Sequence, residues 1–178
     1  MRSRPSDRFA VTSTRCKEVA TAMAAFRLTS PAFEHDEELP VRYTGDGEDV
    51  SPPLEWFDVP AGTKELVVVC DDPDADPGVF THWVVYGIAP DTAGLPENVP
   101  KDAVVEEPVE LLQGLNEYDE VGWSGPVTDE ERAVHRYFFR LYALDAELVD
   151  LPPGATRAEL RKAAKDHVIA VAELVGLA

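Results

Sequence analysis

Three runs of consecutive apolar residues organise the chain: Leu66-Val67-Val68-Val69-Cys70, Trp83-Val84-Val85-Tyr86, and Tyr137-Phe138-Phe139 inside a stretch that continues to Leu144. Their β-branched and aromatic composition, short length and flanking turn residues predict buried strands over residues 66–70, 82–88 and 135–144, the last apolar on both faces as expected for a strand sandwiched between layers. Residues 26–33 and 41–43 are shorter strand candidates separated by an acidic loop, and Gly45-Asp46-Gly47 reads as a turn. Ser51-Pro52-Pro53-Leu54-Glu55-Trp56 cannot be a central strand, because consecutive prolines donate nothing to a ladder; it is expected to be an extended edge or loop anchored by Leu54 and Trp56. A Pro-rich stretch covers residues 90–108, and residues 109–134, acidic and interrupted by Gly114, Gly122, Gly125 and Pro126, read as irregular loop. At the end of the chain Thr156-Arg157-Ala158-Glu159 fits a capping box, and Leu160, Ala164, Val168, Val171 and Val175 fall on one helical face. Short strands followed by one helix predict a mainly β fold, antiparallel sheets with a C-terminal helix packed on them.

Composition narrows the class further. A chain of 178 residues with 44% apolar content suffices for one core and is short for two. Residues 1–25 carry five basic and two acidic side chains, which leaves eleven basic and thirty-two acidic on the remainder, a net charge of −21. So acidic a body repels phosphate backbones and anionic lipid surfaces, which argues against nucleic-acid partners. Eleven Arg against five Lys and acidic clusters such as Glu34-His35-Asp36-Glu37-Glu38 fit the halophilic pattern of a salt-accumulating cytosol. The basic segment 1–25 is expected to be a flexible extension of a domain over residues 26–178, with Met23 an alternative to Met1 as the start. Apolar runs all fall short of the roughly 18 residues of a membrane span, and Cys16 and Cys70 have neither disulfide-framework nor metal-ligand spacing. A cytoplasmic monomer or homodimer without a cofactor is the expectation.

Each long run begins or ends on a polar group: Asp72 closes the first, His82 opens the second and His135 the third. Groups at strand ends lie at a sheet rim, where loops shape a small pocket. An Asp72 carboxylate accepting one imidazole N–H fixes that ring's tautomer and frees its other nitrogen for a ligand. Such a kit suits a small anion or a phosphoryl head group. Gly125-Pro126 supplies a rigid wall, and Tyr137 a hydroxyl and an apolar ring. Three other readings use the same groups: strand-end histidines satisfied by loop carbonyls, with Asp72 capping the turn at Pro73; a metal site of two imidazoles and a carboxylate; and a hydrolase with His135 as base or Ser124 as nucleophile. Against the last, Pro126 occupies the position where a nucleophile elbow has its second Gly.

Taken together, these residues resemble the phosphatidylethanolamine-binding proteins, in particular their prokaryotic branch similar to Raf kinase inhibitor protein. The resemblance covers residues 26–178 and rests on Tyr43-Thr44-Gly45-Asp46-Gly47 with Ser51-Pro52-Pro53-Leu54-Glu55-Trp56, on Asp71-Asp72-Pro73-Asp74-Ala75, His82-Trp83-Val84-Val85-Tyr86 and His135-Arg136-Tyr137, and on Leu151-Pro152-Pro153-Gly154-Ala155-Thr156 before the helix. It implies a sandwich of two antiparallel sheets and a shallow anion-binding pocket formed by Asp72, His82, His135 and Tyr137, with Gly125 and Pro126 on its wall and Asp74 supporting the loop. It implies a binding or inhibitory protein rather than an established enzyme. The chain departs from the family pattern at Asp76, at Phe80 and in the acidic Thr128-Asp129-Glu130-Glu131, all close to the expected pocket.

Overall fold

The computed structural model describes residues 25–127 and 133–178. The expected extension over residues 1–25, with both candidate starts, lies outside the described residues apart from Ala25, as does the acidic run from Thr128. Among the described residues ten strands and one α-helix follow in chain order. β1 (Arg27–Thr29) and β2 (Glu37–Glu38) lead to β3 (Leu54–Phe57), then to the long β4 (Glu65–Asp72) and β5 (Phe80–Ile88). β6 (Gly94–Leu95), β7 (Val104–Val105) and β8 (Leu111–Gln113) are short; β9 (Arg136–Leu144), α1 (Arg157–Ala164) and β10 (Val168–Leu177) complete the fold.

The strands form two sheets, β1-β3-β6 and β2-β10-β9-β4-β5-β8-β7, antiparallel throughout except that β2 runs parallel to β10. Alternation along β4 shows how the layers assemble. Leu66, Val68 and Cys70 point into the core between the sheets, with Leu54 and Trp56 from the small sheet and Trp83, Phe139 and Leu141 from the large one. Val67 and Val69 point the other way and pack beneath α1 with Val84, Leu144, Leu160 and Ala164. A strand covered on both faces needs no polar alternation, which is why the sequence shows a continuous apolar run. Truncating the fully buried Phe139 to Ala is expected to cost about 3–5 kcal/mol.

The helix begins as the sequence predicts. Thr156 Oγ1 accepts the Glu159 N–H and Glu159 Oε2 accepts the Thr156 N–H, the reciprocal cap of a capping box. It ends after eight residues, however, and the chain then turns back as β10. His167 makes the turn: its N–H bonds the Ala164 carbonyl, and its own carbonyl accepts the Asp145 N–H at the end of β9. Val168, Val171 and Val175, expected on the helix face, are therefore strand residues paired with Leu144, Tyr142 and Phe138 of β9. The expected C-terminal helix is present, and its extent is corrected: it stops at Ala164 and precedes an edge-proximal strand that contributes Ala172 and Leu174 to the core.

Three smaller expectations also change. Val41–Tyr43 is a 3₁₀ turn whose Tyr43 is buried, not a strand. Leu54 and Trp56 do anchor their segment, but in β3, the middle strand of the small sheet; Pro52 and Pro53 precede it and so break no ladder. The described part of the segment expected to be loop, residues 109–127, is irregular except for β8, which pairs with both β5 and β7.

Candidate functional site

Antiparallel order brings the predicted residues together. β4 lies between β9 and β5, so the last residues of β4 meet the first residues of both neighbours: Asp72 pairs with Phe80, and Asp71 pairs with Phe138. Asp72, His82, His135 and Tyr137 consequently line one cavity of about 780 Å³, within the usual range of small-molecule sites.

Each imidazole is oriented by one acceptor. His82, 4% exposed, donates from Nδ1 to the Ser124 carbonyl at 2.6 Å, since a carbonyl only accepts. His135 donates from Nδ1 to Asp72 Oδ2 at 2.8 Å, while Asp72 Oδ1 accepts the Asp74 N–H at 2.8 Å. Both rings thus leave Nε2 for the cavity. Burial pushes the His82 imidazole below its ordinary value, outweighing the opposing effects of the Ser124 carbonyl and the Asp72, Asp71 and Asp49 carboxylates. His82 is accordingly neutral near pH 7 and offers an acceptor, not a donor, at Nε2 until it is protonated. Aromatic packing fixes its ring plane: Phe80 lies 5.0 Å away between centroids and Tyr137 5.3 Å, the latter edge-on.

The wall is built by hydrogen bonds that each engage a backbone group. The Ser124 N–H bonds the His82 carbonyl, Trp123 Nε1–H the Tyr43 carbonyl, and the Pro126 carbonyl accepts the Gly45 N–H. Gly125 donates its N–H to Asp49 Oδ1 at 2.6 Å, and Asp49 is in turn paired with Lys101 at 2.7 Å. A Cβ on Gly125 would lie 2.2 Å from the Tyr43 carbonyl oxygen, so only glycine permits this approach. Pro126 lines the cavity, whereas Gly125 stands behind it. Asp74 supports the loop through Arg136, which donates from Nη2 at 2.7 Å, from Nε at 2.9 Å and from its backbone N–H at 3.0 Å. These bonds hold the Asp74 carboxyl down at about 2.

Several lining residues escaped the sequence. Glu38 and Asp76 add carboxylates, and Val41, Tyr118, Val127 and Val134 form an exposed apolar collar. Asp76 and Phe80 were legible only as departures near the pocket. Glu38 and Tyr118 carry no local signal, because β2 and the loop after β8 reach the site through pairing far along the chain.

The competing chemistries find little support in the geometry. Ser124 Oγ donates to Glu120 Oε2 at 3.0 Å and accepts from Asn116 Nδ2 at 3.0 Å, while His82 binds the Ser124 carbonyl, so no imidazole addresses the hydroxyl. Among the described residues no group of three or more His, Cys, Asp or Glu side chains is arranged to hold a metal ion, and no helix is long and apolar enough to cross a membrane.

Comparison with known proteins agrees with this architecture. A family model described as phosphatidylethanolamine-binding protein matches residues 29–178. The UPF0098 protein of Methanothermobacter thermautotrophicus is 47% identical over 150 residues, 84% of this chain and 96% of that one. That of Pyrococcus abyssi is 45% identical over 148 residues, 83% of this chain and 82% of the other. Among solved structures, a phosphatidylethanolamine-binding protein homolog from Chlamydia trachomatis superposes with a TM-score of 0.77 at 38% identity, covering 86% of this chain and 97% of its own. YbcL of E. coli, described as a member of the mammalian PEBP family, gives a TM-score of 0.79 at 28% identity and covers 86% and 98%.

Proposed function

The chain belongs to the phosphatidylethanolamine-binding protein family, and on that footing we propose that its pocket binds a phosphoryl head group without turning it over. The observation that carries this reading is the convergence of two imidazoles, each pre-oriented through Nδ1, on one cavity with both Nε2 atoms available. A phosphoryl group matches them because it offers both donor and acceptor oxygens: a P–OH donates to a neutral Nε2, and a P–O⁻ accepts from a protonated one. Asp72 orients His135 and stays off the ligand, since contact would set like charges together.

The rest of the lining refines the ligand. Glu38, Asp72, Asp74 and Asp76 surround the histidines, so a bare polyanion meets repulsion and a head group that also carries an amine is favoured. The collar of Val41, Tyr118, Val127 and Val134 favours an apolar continuation beyond the head group. In this reading the protein is a cytoplasmic ligand-binding regulator, monomeric or homodimeric, and its free, buried Cys70 is in keeping with a reducing compartment.

Histidine NMR during titration with phosphoethanolamine, and separately with inorganic phosphate, tests the proposal. His82 and His135 ring resonances are expected to move together, phosphoethanolamine to bind more tightly than phosphate, and affinity to rise as pH falls from the ordinary 6.5 of a histidine through the lowered value of His82. Asp72→Asn removes one of the two acceptors that His135 and the Asp74 N–H share, and is expected to weaken binding roughly tenfold. Unmoved ring signals at millimolar ligand, or turnover of a phosphoester abolished by His135→Ala, overturn it.

A further inference from the structure

A second cavity lies on the opposite face of β4. Successive residues of a strand point to opposite sides, so Asp72 faces the head-group pocket while Val67, Val69 and Asp71 face α1. The helix does not cover this outer face completely. Beside it runs a groove of about 450 Å³ with a floor of Val67, Val69, Tyr142, Leu160, Ala164 and Val168. The floor continues into solvent along β10. A register shift between Val168 and Ala170 keeps Val168 and Val171 on the same side despite their odd spacing, and they are 39% and 49% exposed. Val171, Tyr142 and Val67 form one cross-strand row over β10, β9 and β4.

The rim has the opposite charge to the rest of the molecule. Arg157 and Arg161 on α1 and Lys165 at its C-cap, spaced four apart, line one side. Arg157 is committed to the buried Asp71 at 2.7 Å, and the neighbouring Arg140 to Glu173 at 2.8 Å. Arg161 and Lys165 have no carboxylate partner among the described residues, although acidic side chains outnumber basic ones by about two to one in this chain. Exposed cations left unpaired over an exposed apolar floor match a ligand with one negative charge and one apolar chain. The groove is too small for a folded partner but falls within the size range of small-molecule sites.

We infer that the groove between α1 and the outer face of β4, β9 and β10 binds a long-chain carboxylate, its alkyl chain on Val67, Val69, Tyr142 and Val168 and its head group at Arg161 and Lys165. The site is independent of the head-group pocket and of the function proposed for it. Titration of the full chain with dodecanoate, followed by methyl NMR and calorimetry, tests it. Saturable shifts are expected at Val67, Val69, Leu160 and Val168. Affinity is expected to fall roughly tenfold in R161E/K165E, the loss anticipated for two exposed ionic contacts, and similarly for dodecanol in place of dodecanoate. Should the double reversal melt below the wild type, R161Q/K165Q replaces it. Absence of saturable shifts, equal affinity for dodecanol, or equal shifts with acetate alone overturns the inference. Shifts confined to His82, His135 and Tyr137 overturn it too, and leave the head-group proposal standing.

Discussion

Removing the Arg157 guanidinium while keeping most of its apolar stem, Arg157→Met, is expected to destabilise the protein by leaving a charge buried without its partner. Asp71 is 1% exposed. Its Oδ1 accepts from Thr81 Oγ1 at 2.8 Å, and its Oδ2 from Arg157 Nη2 at 2.7 Å and Nε at 3.2 Å; Arg140 Nη1 lies farther off, at 3.9 Å. In the variant the carboxylate keeps one hydroxyl donor and a distant guanidinium. Losing one partner of a fully buried pair costs about 3–5 kcal/mol, and because the Arg157 side chain is one-third exposed, water entering in its place reduces this to about 2–3 kcal/mol. For a chain of this size that lowers Tm by roughly 4–12 °C. Asp71→Asn removes the charge with little change of shape, so the double variant D71N/R157M is expected to be more stable than R157M alone. Urea unfolding of the four proteins in a double-mutant cycle measures the coupling. An R157M protein that melts with the wild type, or a double variant whose loss equals the sum of the singles, would show that the Asp71 charge is not held by Arg157.

Other consequences are testable in the same preparations. Because burial lowers the folded-state value of His82 below its ordinary 6.5, the unfolded chain binds this proton more readily; stability is therefore expected to decline as pH falls from about 6.5 through the lowered folded value, and His82→Gln to flatten that decline in thermal melts between neutral and mildly acidic pH. Gly125→Ala forces its new methyl against the Tyr43 carbonyl and is expected to cost about 1–3 kcal/mol and to displace Pro126, read as a lower Tm together with weaker phosphoethanolamine binding. Potassium chloride is expected to raise Tm by screening the net negative charge, and a Tm flat or falling toward molar salt would remove the case for a halophilic protein.

The main strands were legible because their burial is unambiguous: an uninterrupted run such as Leu66-Val67-Val68-Val69-Cys70 has no stable place except between two covered faces. The site followed from the same runs, since Asp72, His82 and His135 punctuate their ends, and antiparallel pairing of β4 with its two neighbours brings those ends to one rim. Even the capping box at Thr156 was readable, because a helix start is a local arrangement of donors and acceptors.

What followed that helix was not local. Leu160, Ala164, Val168, Val171 and Val175 satisfy a helical period, while Ala172, Leu174 and Gly176 satisfy the period of a strand, and no Gly or Pro stands between Ala164 and Val168 to arbitrate. Nine partners on β9 decide in favour of the strand, and they exist only once β9 is in place. The orientation of His82 is of the same kind. The sequence by itself put an imidazole at a strand end, but the Ser124 carbonyl that takes its Nδ1 proton lies 42 residues away, so which nitrogen is left for the cavity is settled by tertiary hydrogen bonding alone. Apolar runs and caps are determined within a few residues by burial and donor geometry; register, ring orientation and the pairing of Asp71 with Arg157, 86 residues apart, depend on surfaces that only the folded chain brings into contact.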